Sequence, residues 1–213
     1  MEQPEGTKFE TGEELQLFKE IASLQQSGFD VHVGARCALE LSGCAQYIRF
    51  FIDEAPVFVK SRSKTLLSYL SKNSWDIKPQ VFQVSLFGEN NTDFRDYEGM
   101  KISGQIRAVM ECMYVYPKIV SFMEIYELME FMDSCPKTVL SLQSLLNSCQ
   151  SAKVNRLFLY FAERLGFDWA KHIDMRNIYW GKGTLNFAEN GVFVSKYQII
   201  VPESFKEEME CIF

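Results

Sequence analysis

The sequence predicts an α+β fold in which a mixed or antiparallel sheet packs against a cluster of helices. Stretches rich in β-branched and aromatic residues and stretches with three-to-four apolar spacing are segregated along the chain. A parallel α/β fold would show the two patterns in strict alternation. Of the 213 residues, 47% are hydrophobic and 18 are Phe, which is enough apolar side chain for a sizeable core.

The first part of the chain predicts helical and strand segments in turn. Apolar residues recur every three or four positions over 13–26, which indicates an amphipathic helix. The segment VHVGARCALELSG (31–43) predicts a short strand, a glycine and a short helix. The segments at 46–52 and 56–61 are typical of strands, and the Asp-Glu-Ala between them predicts a hairpin.

The middle of the chain continues this pattern. Residues 63–73 predict a helix whose N-cap is Ser63. Residues 80–87 predict a strand, and 93–103 predict a hairpin that turns at Glu98–Gly99.

The second half predicts a block of helices and then a return to strands. Proline and glycine separate four helical segments, at 104–116, 121–133, 136–149 and 153–165. Strands are expected at 176–180 and 191–201 around the Gly-rich turn GKGT (181–184), with a helix over SFKEEME (204–210) at the end.

We expect residues 1–12 to form a disordered tail and 13–213 to form one α+β domain. The acidic start is unlike a secretory signal peptide, and no apolar run approaches the roughly 18 residues of a membrane span. Six cysteines would permit disulfides, but without a secretory signal we favour buried thiols in a reducing cytosol. The predicted location is cytoplasmic.

The charge is unevenly distributed. The net charge of −6 does not indicate a strongly basic nucleic-acid binder. Residues 151–200 nevertheless carry seven basic and four acidic side chains. This excess is typical of an ordinary solvated surface, and the alternative is a weakly basic face for an anionic partner.

Motifs for known chemistry are missing from the sequence. There is no C-x-x-C pair for zinc, no dinucleotide fingerprint and no G-x-S-x-G or H-E-x-x-H motif. We therefore predict no catalytic residue, no metal site and no cofactor. GKGT is shorter than a phosphate-binding P-loop and strand-like sequence follows it, so a hairpin turn is favoured over an anion site.

The sequence favours a structural role for both histidines. His172 has charged sequence neighbours, but these do not supply the orienting group and nucleophile that a general base needs. His32 lies in VHVG, and with Arg36 it offers an alternative as an anion contact. Acidic side chains recur on one predicted helix and favour a solvated face, with a docking strip for a basic partner as the alternative: Glu124, Glu127, Glu130 and, beyond them, Asp133.

The segment from 153 to 172 predicts a buried helical hairpin. The centre of its first helix is apolar on every side, which is typical of a buried helix. Arg156 and Glu163 share a stripe that could carry an internal ion pair. Asp168 is expected to cap a short second helix through His172, with Trp169 packing back on the first helix.

Four ordered segments resemble one family, the AbiEi antitoxins of type IV toxin–antitoxin systems. VHVGARCALELSG is similar to that family's His-Val-Gly-Gly-Arg segment, and SGQIRAVMECMYVYP (103–117) lies where the family has Ser-Pro-Glu-Arg-Ala. KVNRLFLYFAE (153–163) and SKYQIIVP (195–202) resemble its closing signatures. FMEIYELMEFM fits the acidic helix between them, so the resemblance covers about residues 20–205.

The resemblance implies a transcriptional regulator whose C-terminal domain opposes a nucleotidyltransferase-like toxin in abortive infection by phage. The family's N-terminal winged helix-turn-helix is expected to be absent, because only about 30 residues precede the VHVG segment and a winged helix needs roughly twice that. DNA binding is then expected only if such a domain is supplied elsewhere. Arg36 and Arg107 match the family pattern, whereas Gly104 and Gln105 replace its Pro and Glu and are expected to weaken the helix start by about 1 kcal/mol.

The favoured function is a non-enzymatic antitoxin-like or regulator domain. The alternative is an enzyme that acts on nucleotides or nucleic acid through an unrecognised site, and a third hypothesis is sequence-independent nucleic-acid binding by 151–200. The enzyme hypothesis predicts one pocket that joins its basic residues to a carboxylate. The candidate partner or anion contacts are His32, Arg36, Arg107, Lys153, Arg156, Lys196 and Tyr197.

Overall fold

The computed structural model describes residues 15–43, 52–60, 63–90, 92–132 and 139–205. The helices in these ranges are α1 (Gln16–Gln26), α2 (Ala35–Leu41), α3 (Lys64–Lys72), α4 (Gln105–Val115), α5 (Phe122–Phe131), α6 (Val139–Ser148) and α7 (Ala152–Arg164). The strands are β1 (Val31–Val33), β2 (Glu54–Val59), β3 (Lys78–Gln83), β4 (Phe94–Tyr97), β5 (Met100–Ser103), β6 (Leu185–Asn186), β7 (Gly191–Val194) and β8 (Ile199–Pro202). The α+β prediction is confirmed.

The strands form two mixed sheets. The larger has the order β3-β2-β1-β5-β4, with β1 antiparallel to β2 and parallel to β5. Strand β3 runs parallel to β2, and β4 is antiparallel to β5. The smaller sheet has the order β6-β8-β7. All three residues of β1 are buried, as expected for a central strand covered on both faces.

Helices α4 and α7 lie at the centre of the helical layer. Helix α4 packs against both α2 and α7, and it buries every residue from Gln105 to Met113. Helix α7 is buried from Val154 to Ala162. This confirms that the segment that is apolar on every side is a core helix.

Several local predictions are confirmed. Ser63 caps α3, because its hydroxyl accepts a hydrogen bond from the Leu66 N–H. The hairpin of β4 and β5 turns at Glu98 and Gly99, with φ of 50° and 80°. Two successive positive φ values are typical of the type I′ turn that matches strand twist.

The predicted hairpin around Asp53–Ala55 is wrong at its turn. Glu54 and Ala55 are the first residues of β2, which pairs antiparallel with β1 and parallel with β3. Residues 46–51, the other predicted strand, lie outside the described residues. Strand β3 also starts earlier than predicted, at Lys78.

The strand predicted at 176–180 is wrong. Residues Met175–Asn177 form a 3₁₀ helix whose first turn is capped by the Asp174 carboxylate. GKGT therefore does not join two strands of a hairpin. In the predicted terminal helix, Glu203–Phe205 form a 3₁₀ turn, and residues 206–213 lie outside the described residues.

After α7 the chain forms the expected second helix, but as a 3₁₀ helix over Asp168–His172. Its N-cap is Phe167 rather than Asp168. Trp169 packs back on α7 as predicted, with its ring 5.8 Å from that of Phe158. His172 is exposed, at the end of the 3₁₀ helix.

The described cysteines are buried: Cys37, Cys112 and Cys149. Burial raises the pKa of the Cys149 thiol to about 12, so this thiol stays protonated at neutral pH. No helix within the described ranges has the length and apolarity to cross a membrane.

Candidate functional site

A buried carboxylate, Glu111, is the centre of the polar interior. It is 1% exposed and lies on α4. Its Oε1 is 2.9 Å from Nε2 of His32, and its Oε2 accepts hydrogen bonds from the Ala35 N–H at 3.0 Å and the Ser103 hydroxyl at 2.7 Å. We call these four residues the Glu111 cluster. The cluster joins β1, the start of α2, the end of β5 and α4 through one side chain.

The backbone of the VHVG segment is shaped by this carboxylate. A Cβ on Gly34 would collide with Glu111 Oε2 and with the Phe58 ring. Ala35 follows with φ of 49°, an unusual value for a residue with a side chain. This strained backbone directs the Ala35 N–H at the carboxylate, so the glycine at 34 is needed for close approach.

The Glu111 cluster does not have the order of a catalytic triad. Ser103 is fully buried and donates to Glu111, whereas nucleophilic catalysis needs the hydroxyl to donate to the histidine base. The His32 ring stacks on Phe58 and meets Phe94 edge-on, at centroid distances of 5.4 Å and 5.0 Å. The geometry supports structural roles for His32 and Ser103.

A small cleft of about 30 Å³ lies beside the cluster. Its lining includes charged residues of both signs as well as aromatic rings. Lys60 in this lining is paired with Glu89, 2.8 Å away. The charged residues that line the cleft are Asp30, Lys60, Arg107 and Glu111.

Arg36 lies on α2 and bridges two carboxylates. Its Nε donates to Glu40 at 2.9 Å, and its Nη1 donates to Glu124 on α5. Glu124 also completes a capping box with Ser121 at the start of α5. Glu124 is therefore used within the fold, and of the predicted acidic strip Glu130 is exposed while Asp133 lies outside the described residues.

Arg107 is held by backbone carbonyls and two rings. Its Nε and Nη2 donate to the carbonyls of Thr92 and Asn90, at 3.1 Å and 2.6 Å. Its guanidinium carbon lies 4.3 Å and 4.2 Å from the ring centroids of Phe87 and Phe94. Burial lowers the pKa of Arg107.

The start of α4 has a cap that was not predicted. Gly104 has no side chain to cap the helix, but the Asp93 carboxylate accepts from the Arg107 N–H at 2.7 Å. A Cβ on Gly104 would collide with Asp93. The expected weakening of this helix start is therefore offset by a carboxylate from the preceding loop.

Lys153 caps the C-terminal end of α4. Its ammonium donates to the carbonyls of Tyr114 and Tyr116, at 2.6 Å and 2.8 Å. A cation on the last carbonyls is a favourable helix cap. Burial, together with the nearby charge of Lys118, lowers the pKa of Lys153 to about 8.

This pKa predicts a pH-dependent contribution to stability. The ordinary pKa of 10.5 applies in the unfolded chain, so between about pH 8 and 10.5 unfolding takes up a proton at Lys153. Raising the pH through that window favours the folded state. We expect the free energy of unfolding of wild type to rise relative to that of Lys153→Met between about pH 7.5 and about pH 9.5, a range that covers the lower part of that window. Urea denaturation of both proteins at each pH gives the free energy of unfolding of wild type minus that of the variant. A difference that stays constant or falls as the pH rises contradicts the assignment.

Arg156 organises the loop between α7 and the second sheet. Its Nε donates to the Trp180 carbonyl at 2.7 Å, and its Nη1 donates to the carbonyls of Gly183 and Gln198, at 2.7 Å and 3.1 Å. The predicted ion pair of Arg156 with Glu163 is wrong, because Glu163 accepts hydrogen bonds from Lys196 and Tyr197 instead.

Glu163 pairs with Lys196 and Tyr197, the two remaining candidate residues. Its Oε1 accepts from Lys196 and its Oε2 accepts from the Tyr197 hydroxyl, both at 2.5 Å. Burial and this hydrogen bond raise the pKa of Tyr197. The Lys196 side chain stays 59% exposed.

The candidate residues thus form separate clusters. His32 and Arg107 line one cleft with Glu111. Among the described residues, the four basic residues of the enzyme hypothesis have different hydrogen-bond partners: Arg36, Lys153, Arg156 and Lys196. Among the described residues no group of three or more His, Cys, Asp or Glu could hold a metal ion.

Sequence reasoning missed Glu111, Ser103 and Asp93. A signal for Glu111 exists, because it is the acidic residue within the mostly apolar α4, one turn beyond Arg107. A carboxylate on a buried helix needs internal donors. The sequence holds no comparable signal for Asp93, which acts on a helix from outside it.

The comparison with known families decides the affiliation. The family described as "Transcriptional regulator, AbiEi antitoxin, Type IV TA system" matches residues 54–202. The chain belongs to this AbiEi antitoxin family. The match runs from β2 to β8 and includes Arg107, Lys153 and Arg156. No curated protein and no solved structure matches the chain.

Proposed function

We propose that this AbiEi-family domain is a non-enzymatic antitoxin and regulator module that acts in the cytoplasm against a nucleotidyltransferase-like toxin. The observation that carries the proposal is the family match over residues 54–202. In this proposal the module opposes or senses the toxin within an abortive-infection response to phage, and residues 13–213 act as one domain.

The use of the polar side chains supports a non-enzymatic role. Three arginines donate hydrogen bonds to carboxylates or carbonyls of the chain itself: Arg36, Arg107 and Arg156. An enzyme would need such groups directed at a substrate. Lys196, whose side chain is more than half exposed, is the candidate best placed to reach a partner.

Binding to DNA is not part of the module that we propose. Within the described ranges we assign no element of the five-stranded sheet or of the helices around it to a DNA groove. Regulation of transcription would then need a winged-helix domain supplied elsewhere.

Growth rescue tests the proposal. Cells that express the toxin encoded beside this protein are expected to stop growing, and co-expression of the chain is expected to restore growth. A variant at an exposed position of α5, Glu130→Ala, is expected to rescue equally. Plating efficiency measures the effect. Continued arrest, with the antitoxin shown to be folded and abundant, would contradict the antitoxin role.

A further inference from the structure

The chain contains one Asn-Gly pair, Asn190–Gly191. It lies where the chain enters the smaller sheet, and Gly191 is the first residue of β7. Both residues are exposed. The side-chain amide of Asn190 has no hydrogen-bond partner among the described residues, so nothing in them holds it away from the backbone that follows.

The N–H of Gly191 faces away from the sheet. In a β-ladder, successive residues turn their N–H and C=O groups to opposite sides of the strand. The Ile200 carbonyl accepts from the Phe187 N–H at 2.8 Å, on the β6 side of β8. Its neighbour Val201 therefore faces β7, where it is paired with Val192. Gly191 precedes Val192 and turns its N–H outward, to the edge that β7 forms within the described sheet.

The pairing of β7 with β8 requires glycine at this position. A Cβ on Gly191 would lie 2.3 Å from the Val201 carbonyl oxygen, which belongs to the backbone and cannot move aside alone. The same missing Cβ leaves the Gly191 nitrogen open to approach from the Asn190 side chain. The fold therefore keeps an unshielded nitrogen directly after an exposed asparagine.

A second exposed asparagine in this sheet is held differently. Asn186 is exposed at the end of β6. Its Oδ1 accepts from the Ala188 N–H at 3.0 Å, and the next N–H, that of Phe187, donates to the Ile200 carbonyl. The amide and the following nitrogen are thus both occupied at Asn186. At Asn190 neither has a partner among the described residues.

We propose that Asn190 is a site of spontaneous deamidation through a cyclic imide. The Gly191 nitrogen attacks Cγ of Asn190, and the new C–N bond closes a succinimide ring. The side-chain nitrogen leaves as ammonia and takes with it the proton of the Gly191 N–H. The two groups are neighbours in the chain, so the attack is intramolecular and needs no partner molecule.

Water then opens the ring at either of its carbonyls. The hydroxyl adds to the carbonyl carbon, the C–N bond breaks, and the proton goes to the released nitrogen. Opening at the side-chain carbonyl gives aspartate, and opening at the main-chain carbonyl gives isoaspartate. Both products replace a neutral amide with a carboxylate, and isoaspartate adds one atom to the main chain directly before β7. The site is independent of the antitoxin role, since it rests on the geometry of this strand.

Ageing of the full chain, folded and unfolded, tests the site. The protein is incubated for several days in neutral and mildly alkaline buffer, with and without guanidinium chloride, and peptide mapping by mass spectrometry follows each asparagine. In the folded chain we expect isoaspartate and aspartate at position 190 to accumulate about as fast as in the unfolded chain. At Asn186 we expect folding to slow the conversion strongly. Alkaline buffer is expected to speed the reaction at Asn190, because the attacking nitrogen must lose its proton.

Two variants separate the site from general ageing. Asn190→Gln lengthens the side chain beyond the succinimide geometry and is expected to keep its amide, whereas Asn186→Gln is expected to leave the conversion at Asn190 unchanged. The proposal is overturned if folding protects Asn190 as strongly as Asn186. It is also overturned if aspartate forms at position 190 without isoaspartate, because direct hydrolysis by water would then be the route.

Discussion

Replacing Glu111 with alanine is expected to lower the free energy of unfolding by about 3–5 kcal/mol. The substitution leaves three buried donors without their acceptor: His32 Nε2, the Ala35 N–H and the Ser103 hydroxyl. Each unsatisfied buried group retains the cost of its lost hydration. Urea denaturation followed by circular dichroism measures the loss.

Two further variants make this result specific to the cluster. Glu111→Gln keeps the size of the side chain and one carbonyl acceptor, so we expect it to fall between wild type and alanine. Glu130→Ala on α5 removes an exposed carboxylate and is expected to change stability by less than about 0.5 kcal/mol. A loss below about 1 kcal/mol for Glu111→Ala would show that the carboxylate does not hold β1, α2 and α4 together.

Replacing Phe158 with alanine is expected to cost about 3–5 kcal/mol. Phe158 is 0% exposed at the centre of α7, and its ring packs on Trp169. The smaller side chain leaves a cavity that the surrounding helices can fill only in part. Denaturation in urea gives the free energy, and the fluorescence of the tryptophans is a useful probe of the same transition.

The control for this variant is an aromatic residue on the surface. Phe193 on β7 is 50% exposed, and Phe193→Ala is expected to cost less than about 1 kcal/mol. If Phe158→Ala costs as little as Phe193→Ala, α7 is not the core helix that the fold requires.

The segments best predicted from sequence are those with a local cause. The helices from α4 to α7 follow from apolar spacing broken by proline and glycine, and α3 begins at the Ser63 cap. The β4–β5 hairpin follows from Glu98 and Gly99, which adopt the positive φ values that this tight turn requires. In each case residues within about four positions of one another decide the conformation.

The errors occur where distant residues decide. Glu54 and Ala55 have the composition of a turn but pair in a strand, because β1 and β3 flank them in the sheet. The 176–180 segment has the composition of a strand but pairs with no strand among the described residues, and Asp174 caps a 3₁₀ turn at its start instead.

The sequence by itself determined the fold class, the buried character of α7 and the resemblance to AbiEi antitoxins, because periodicity, caps and motif order are all local. The tertiary structure decided which donor meets which acceptor. His32 meets a carboxylate 79 residues away, and Arg156 binds carbonyls 24 to 42 residues away. Spacing along the chain does not specify such contacts, since they form only when packing brings distant elements together and removes water from their polar groups. The same packing placed the GKGT loop on the start of α7, where Gly181 lies against Ala152.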